Sequence, residues 1–247
     1  MNRCLLILFI FWASVVSAQP RHTLSVLAGS AHTADTYLSP LKYSGASTGI
    51  AYDYKRLYQP SMFSLSTQLR GSRTMNPARN AVMWGADLML SSHYMWRLPV
   101  PSAIASVYLG SGASIAAGAL YLPRNGNNPV SASARICADA AIHCTHDISI
   151  HHRPLTFSLT ATLPVTGAFF RQAYGELYYE IYMGNHSHLI HWAHPGNLLA
   201  PDIRAAVSTT VGKIYLTGAY TLNVENSYSH SITHRCIYHS FAAGISF

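Results

Sequence analysis

Charged side chains are scarce in this sequence. Asp, Glu, Lys and Arg make up only 10% of its 247 residues, whereas soluble domains carry about 25%. Basic residues outnumber acidic ones, and the formal net charge is +7. The basic residues are scattered, with Lys55-Arg56 as the one adjacent pair, so no basic stripe indicates nucleic-acid binding. Scattered arginines near strand ends suit anionic lipid headgroups instead.

Long apolar runs are also absent. The longest, from Leu5 to Trp12, follows Arg3 and precedes the small residues around Ala18. This order predicts a signal peptide over residues 1–18, cleaved after Ala18, with Gln19 as the mature start. A membrane anchor would need about 20 apolar residues. We expect residues 19–247 to form one domain without a lipid anchor, because Cys4 lies before the apolar run.

Cysteine is rare beyond the leader, with Cys137, Cys144 and Cys236. Cys137 and Cys144 lie seven positions apart, so on one strand they point to opposite faces and should not pair. No metal-type cysteine spacing occurs. We expect all three to be packing residues, and the sequence predicts no cofactor.

What the sequence does contain is alternation with a period of two, which is typical of strands with two different faces. Residues 82–96 show it best, and 155–163 and 213–224 repeat it. One face is apolar, and the other is rich in Ser, Thr, Gly and Ala with single charges. Such a polar face suits a narrow lumen better than a water-exposed sheet. The sequence therefore predicts an all-β, closed antiparallel transmembrane β-barrel in the bacterial outer membrane.

Aromatic residues fall where the two membrane interfaces should lie. Trp84 and Trp96 share the apolar face twelve residues apart, with Tyr94 beside Trp96. That separation is about 40 Å along a strand and roughly 28 Å in height when the strand tilts, close to the apolar band of about 25 Å in such barrels. We expect Trp84, Tyr94 and Trp96 to form an aromatic girdle. A helix over Ala103–Leu122 is the alternative for the next segment, but prolines, glycines and alternation favour a strand.

Ten strands fit the pattern. The predicted strands are 22–29, 47–57, 61–70, 82–96, 102–118, 132–149, 154–163, 200–211, 213–225 and 232–247. Short and long connections then alternate, as expected for periplasmic turns and external loops. The longest loop lies near 164–199. Alternation within it, at 177–183 and from His186 to His194, leaves twelve strands possible.

The last strand carries an assembly signal in this prediction. Phe241, Ala243, Ile245 and Phe247 share the outward face, and the pattern resembles the terminal strand recognised by the barrel-insertion machinery. We expect that machinery and outer-membrane lipids to be the partners of the chain.

Three segments resemble an uncharacterised family of outer-membrane proteins from gut-type Gram-negative anaerobes, a domain of unknown function. They are residues 35–41 (DTYLSPL), 167–170 (GAFF) and 174–180 (YGELYYE). The resemblance implies a barrel in the envelope over nearly all of the mature chain. It implies no activity and no catalytic residue.

Candidate chemistry lies in the predicted loops. His186, His188, His191 and His194 could form a metal-capture tract, but no Cys or carboxylate completes a set, and we predict no metal. A rim-sited hydrolase acting on lipid or peptide is the alternative function. Its candidate residues are Asp35, Glu176, Glu180, the loop histidines, and Ser227 or Ser229 beside His230. No local signature such as G-x-S-x-G occurs, and we predict no catalytic residue.

The favoured function is a structural or interaction protein. The Tyr-rich loop 174–182 is a possible site for an external glycan or protein ligand. Asp53, Asp87, Arg135 and Asp139 are expected to form an ion-paired plug in the lumen. A ten-strand barrel is nearly filled by side chains, so a general porin is not expected.

Overall fold

Backbone pairing determines the architecture, because in lipid every strand needs hydrogen bonds from neighbours on both sides and only a closed sheet supplies them. In the computed structural model, ten long antiparallel strands form such a closed barrel, as predicted. The structure describes residues 22–100, 105–126, 128–150, 153–172, 178–184, 189–212 and 214–247. The predicted signal peptide and its cleavage site at Ala18 lie outside these residues.

The elements follow one another in a simple up-and-down order. The ten long strands are β1 (His22–Asp35), β2 (Lys42–Leu57), β3 (Ser61–Met75), β4 (Val82–Arg97), β5 (Ala105–Tyr121), β6 (Val130–Ile150), β7 (Arg153–Phe170), β10 (Asp202–Val211), β11 (Ile214–Ser229) and β12 (Ile232–Ser246). Between β7 and β10 lie the short helix α1 (Tyr178–Tyr182) and two short strands, β8 (Ile190–Ala193) and β9 (Leu198–Leu199). We call the end with the longer connections the external end.

The first and last strands close the barrel. β1 pairs with β12 along its whole length, from Thr23 opposite Ser246 to Asp35 opposite His234. At the base, the His22 amide donates to the Phe247 carbonyl at 2.9 Å, and the Phe247 amide donates back at 2.8 Å. The two strands therefore have no unpaired edge where they meet.

The pairing partner of β7 changes along the strand. Its lower half pairs with β10, and its upper end, Gly167–Phe170, pairs with β8. On the other side of the same gap, β9 pairs with β11. On the β6 side the register shifts where Ala138 faces Thr166 and Asp139 faces Pro164, which leaves Val165 between them as a bulge. Such a bulge bends and twists a strand locally.

The outward face of the wall is apolar. Side chains alternate between lumen and exterior along each strand, because the period of a strand is two. Exposed outward residues on successive strands include Leu24, Val26, Ile50, Leu69, Leu88, Leu90, Leu109, Ile115, Ile136, Phe157, Leu159, Ile203, Leu216, Phe241 and Ile245. A continuous band of this kind on a closed barrel is the lipid-facing surface of an outer-membrane protein. The chain is therefore an outer-membrane β-barrel.

The aromatic residues singled out from the sequence lie on this outward face. Trp84 is at the external end of β4, and the guanidinium carbon of Arg73 lies 5.7 Å from its ring centroid. Tyr94 and Trp96 are at the opposite end, with ring centroids 5.0 Å apart. Phe241, Ala243 and Ile245 also face outward on β12, and Phe247, directly after the strand, is exposed as well.

Most predicted strands continue further at the external end than the sequence indicated. β1 runs to Asp35 rather than residue 29, β2 starts at Lys42 rather than 47, and β7 runs to Phe170 rather than 163. Outward residues there include polar His32 and Ser44. Apolar alternation fades at these ends, although the backbone pairing continues.

The alternative of twelve strands, with two further wall strands between β7 and β10, was wrong. Residues 178–182 are helical, and β8 and β9 pair only with the upper ends of β7 and β11. Short alternating runs do not distinguish a wall strand from a brief extension of one. The predicted strand at 102–118, rather than a helix, is confirmed by β5 (Ala105–Tyr121); residues 101–104 lie outside the described residues. Among the described residues, no helix is long and apolar enough to cross a bilayer.

Gly112 of β5 allows the neighbouring strand β4 to approach closely, because glycine has no Cβ. A substitution at this position therefore tests how tightly the wall is packed. A Cβ on Gly112 would lie 2.0 Å from the Ser92 carbonyl oxygen and 2.6 Å from His93 Cδ2, whereas nothing lies within 4 Å of a Cβ on Gly218. We predict that Gly112→Ala destabilises the barrel by about 1–3 kcal/mol, the usual cost of overpacking. The measurement is the temperature at which the barrel loses its heat-modifiable migration in SDS gels. Gly218→Ala is the matched control, and equal midpoints for both variants would contradict the prediction.

Candidate functional site

The lumen concentrates the polar chemistry of the protein. Inward positions carry Ser, Thr, Asp, Arg and His, and a buried charge is stable only when it is paired or hydrogen-bonded. Among the described residues, three groups of charged residues occupy the lumen, and apolar clusters lie near both of its ends.

The middle group is built around Arg70 of β3. Its guanidinium donates to Asp87 Oδ2 from Nε at 2.9 Å and from Nη2 at 2.7 Å, and to the Asn223 side-chain oxygen. The guanidinium carbon also lies 4.3 Å from the Tyr238 ring centroid. Asn223 donates in turn to Asp202 Oδ2 at 2.5 Å. Arg70 therefore connects β3, β4, β11 and β12 across the lumen.

A second ion pair lies beside the first group. Arg204 of β10 pairs with Asp53 of β2, and the Ser66 hydroxyl donates to the same carboxylate at 2.8 Å. Gln68 of β3 adds another contact across the lumen, because its amide nitrogen donates to Asp202 Oδ2 of β10 at 3.4 Å. Opposite walls of the barrel are thus joined through side chains alone.

Glu225 of β11 anchors the third group, which lies nearer the external end. Arg171 donates to Glu225 Oε1 at 2.6 Å, and Arg135 donates to Oε2 at 3.2 Å. Arg135 also donates to the Ser114 hydroxyl at 3.2 Å, and Ser114 donates to Asp139 Oδ1 at 3.0 Å. The guanidinium groups of Arg135 and Arg171 therefore share the Glu225 carboxylate, and each positive charge has a counter-charge in the lumen.

A carboxylate, an imidazole and a thiol meet above Glu225. His234 Nδ1 lies 2.9 Å from Asp35 Oδ2, and His234 Nε2 lies 3.4 Å from Cys236 Sγ. Asp35 also accepts the Ser131 hydroxyl at 2.7 Å and the Tyr37 amide at 2.9 Å. Asp35, His234 and Cys236 are 1%, 4% and 7% exposed. We call these three residues the Asp-His-Cys cluster.

Apolar side chains fill the lumen near both ends. At the external end, Tyr37 and Leu38, from the β1–β2 connection, pack with Tyr43, Leu122 and Ile232. At the other end, Met62, Met95, Tyr108 and Ala141 form a compact cluster. A cavity of about 60 Å³ lies between them, with Arg70, Asp87, Glu225, His234, Cys236 and Tyr238 in its lining. That volume has room for a few water molecules.

The predicted lumen plug is confirmed. Asp53, Asp87 and Arg135 each form an ion pair, and Asp139 lies 3.3 Å from His93 Nε2. Their ion-pair partners Arg70, Arg204 and Glu225 were not singled out from the sequence, and neither was Arg171, which shares Glu225 with Arg135. Their positions in the alternating pattern predict that these side chains point inward. The pattern does not show which residue on another strand each of them meets across the lumen.

The proposed hydrolase residues are not brought together as a rim site. Asp35 pairs with buried His234, Ser227 accepts from Arg171 Nε at 3.0 Å, and the His230 ring contacts the His191 ring with centroids 5.1 Å apart. Glu176 lies outside the described residues, and the side chain of Glu180 is not described. Cys137 and Cys236 are buried in apolar clusters, as expected for packing residues, and Cys236 Sγ also lies 3.4 Å from His234 Nε2.

The histidine tract is only partly described, since His186 and His188 lie outside the described residues. His191 packs against Phe169 with ring centroids 5.1 Å apart, and His194 Nδ1 accepts the Gly196 amide at 3.1 Å. Within the described part of the chain, no group of three or more His, Cys, Asp or Glu residues is placed to hold a metal ion.

Several solved structures resemble this barrel at low sequence identity. The transport unit of the autotransporter AIDA-I from Escherichia coli is 11% identical, with a TM-score of 0.45, over 96% of this chain and 93% of that one. The outer membrane protease OmpT from Escherichia coli is 8% identical, with a TM-score of 0.46, over 95% and 99%. The COG4313 outer membrane channel from Pseudomonas putida F1 is 10% identical, with a TM-score of 0.34, over 94% and 98%. Likenesses this distant carry no argument about function.

Curated proteins give no match to the chain. A family model does match, over residues 16–246, and its description is "Protein of unknown function (DUF3316)". The gut-anaerobe source implied by the sequence resemblance stays a prediction. Because the match spans almost the whole sequence, the chain belongs to the DUF3316 family of proteins of unknown function.

Proposed function

We propose that this protein is a closed outer-membrane barrel that acts by binding a glycan or a protein through the external connection between β7 and β10. The observation that carries the proposal is the exposure of apolar side chains there: Tyr179, Tyr182 and Met183 are 68%, 86% and 66% exposed. Tyrosine combines a large apolar face with a hydroxyl that can donate or accept, and this combination suits ligand contact.

The base of this connection is held in place, which supports a binding role. The Arg171 amide donates to the Leu189 carbonyl at 3.0 Å, and the Tyr228 amide donates to the Asn197 carbonyl at 2.9 Å. The side chain of Arg171 is fixed below by Glu225. Because the base is fixed, the two ends of the connection do not have to be ordered on binding.

The closed lumen also supports a role at the surface rather than in transport. The ion-paired groups join opposite walls, and both ends hold apolar clusters. Opening a path would require several buried charges to lose their partners, and each loss is costly.

The alternative, a rim-sited hydrolase acting on lipid or peptide, has weaker support. The carboxylate–imidazole–thiol order of the Asp-His-Cys cluster is the feature that favours it. The cluster is buried, however, and the neighbouring cavity of about 60 Å³ admits only small molecules. A peptide or lipid could not reach the thiol without displacing the external apolar cluster around Tyr37.

The binding proposal predicts a specific loss. We expect the purified barrel to bind a subset of a glycan array, and the double variant Tyr179→Ala/Tyr182→Ala to lose at least ten-fold in apparent affinity. Tyr121→Ala is the matched control, because Tyr121 is an exposed tyrosine on the lipid-facing wall.

For a protein ligand, a photo-crosslinking amino acid at position 182 should give a discrete adduct in cells, and one at position 121 should not. Absence of both glycan binding and an adduct at 182 would contradict the proposal.

We further propose that Trp84, Tyr94 and Trp96 form the aromatic girdle at the two lipid interfaces. Tryptophan prefers the headgroup level, and both tryptophans face outward at opposite ends of β4. In variants that retain a single tryptophan, at 84 or 96, bromine near the headgroups should quench fluorescence more than bromine deep in the acyl chains. A single reporter placed midway by Leu90→Trp should show the reverse order. The same order for all three positions would argue against the girdle.

We also propose that Phe241, Ala243, Ile245 and Phe247 form the signal read by the insertion machinery. Phe247→Ser should lower the fraction of heat-modifiable barrel in outer membranes several-fold, while refolding of the purified variant into detergent stays close to wild type. Phe157→Ser is the control, because Phe157 is exposed on the wall away from the last strand. A defect of equal size in both variants would show lost wall contacts instead of a lost signal.

A further inference from the structure

We propose that Cys236 is a peroxide-reactive thiol whose oxidation to a sulfenic acid is assisted by His234 and positioned by Asp35. The proposal is independent of ligand binding at the external loop. It assigns chemistry to the Asp-His-Cys cluster and names the class of reactant, a water-sized peroxide.

Strand geometry places the imidazole and the thiol together. His234 and Cys236 are two positions apart on β12, so both side chains point into the lumen. Asp35 lies directly opposite His234 in the register of β1 and β12. The two ring nitrogens of His234 then face different partners, with Asp35 Oδ2 at 2.9 Å from Nδ1 and Cys236 Sγ at 3.4 Å from Nε2.

The carboxylate determines which ring nitrogen carries the hydrogen. An ionised carboxylate only accepts hydrogen bonds, so Nδ1 of His234 donates to Asp35 and the neutral ring leaves Nε2 free to accept. Asp35 is itself held by the Ser131 hydroxyl at 2.7 Å and by the Tyr37 amide at 2.9 Å. Nε2 is therefore aimed at the thiol, which is the arrangement in which an imidazole takes a thiol proton.

The charges around the cluster are compatible with an imidazolium–thiolate pair. Glu225 Oε1 lies 3.9 Å from His234 Nε2, and Glu225 is paired with Arg135 and Arg171. On the β1 side, Thr33 Oγ1 lies 3.9 Å from Cys236 Sγ. A positive ring between two carboxylates is stabilised, and a thiolate beside a positive ring is the nucleophilic form of cysteine.

The cavity restricts the reactant by size. His234 and Cys236 contribute to the lining of the same space of about 60 Å³, together with Arg70, Asp87 and Tyr238. A space of this size holds a few water molecules. Hydrogen peroxide is neutral and close to water in size, so it can occupy this space, whereas an ester or a peptide cannot.

The chemical step balances with peroxide as the oxidant. The Cys236 thiolate attacks one peroxide oxygen, the S–O bond forms and the O–O bond breaks. The departing hydroxide takes the proton held on His234 Nε2 and leaves as water. The sulfur is oxidised to a sulfenic acid, the peroxide is reduced, and His234 returns to its neutral form.

Cys137 provides an internal control. It is buried like Cys236, at 3% exposed, and like Cys236 it packs in an apolar cluster, here with Phe169, Leu198 and Ala200. Among the described residues, the Arg135 guanidinium lies beside the Cys137 thiol, and no imidazole nitrogen is hydrogen-bonded to Cys137 Sγ. Cys137 thus shares burial with Cys236 and has a guanidinium in place of the imidazole, so a reaction that needs an imidazole base predicts a difference between the two thiols.

The experiment compares the two cysteines in one sample. The purified full barrel in detergent is treated with hydrogen peroxide, sulfenic acids are trapped with dimedone, and peptide-resolved mass spectrometry follows each cysteine. We expect Cys236 to be labelled at least ten-fold faster than Cys137. His234→Gln should remove that advantage, and Asp35→Asn should reduce it several-fold.

Folding is controlled separately, because these variants alter a buried cluster. Heat-modifiable migration identifies the folded fraction, and only that fraction is analysed. Ser131→Ala is a milder variant that removes one hydrogen bond to Asp35, and it should lower the Cys236 rate less than Asp35→Asn. Equal labelling of Cys236 and Cys137 in the folded wild type would overturn the proposal, as would a wild-type Cys236 rate in folded His234→Gln.

Discussion

The pairing of β1 with β12 is the constraint on which the rest of the structure depends. In lipid, an unpaired backbone amide or carbonyl costs several kcal/mol, so the sheet has to close. Mutual hydrogen bonds between His22 and Phe247 complete the closure at the base. Once the sheet is closed, alternation gives every strand one face toward lipid and one toward a narrow lumen. The apolar outside and the polar inside are both consequences of this closure.

A narrow lumen imposes a second condition on the chain. Ten strands leave a space that side chains nearly fill, and any charge inside must find its counter-charge there. Arg70 with Asp87, Arg204 with Asp53, and the two arginines on Glu225 meet that condition. Arg70 and Asp87 lie opposite each other on the neighbouring strands β3 and β4, whereas the Arg204–Asp53 and Arg135–Glu225 pairs join strands that are not neighbours in the sheet. Charged residues thus fix the cross-section of the barrel, while the apolar clusters around Tyr37 and Met62 fill its two ends.

The fold was predictable because lipid imposes a simple pattern. Alternation over residues 82–96 gave β4 to within one residue at its end, and the number of long strands was correct. The external strand ends were underestimated because outward residues such as His32 and Ser44 are polar there. Residues 178–182 alternate in sequence but form a helix, since five residues of alternation do not outweigh local preference in a loop.

The candidate site was less predictable, for a geometric reason. Asp35 was noted as a loop carboxylate, yet its partner His234 lies 199 positions away in sequence. Only the register between β1 and β12 brings them together, and a sequence pattern gives the face of a residue but not its register. The same limit applies to Arg171 and Glu225.

The division of the wall at β7 has a mechanical consequence. In the part of this connection that the structure describes, the short strands β8 and β9, rather than a long strand, pair with the upper ends of β7 and β11. Arg171 leaves the end of β7 and reaches both Glu225 and Ser227 of β11. This side chain therefore ties the upper ends of β7 and β11 together, and it connects the base of the external connection directly to the charged groups in the lumen.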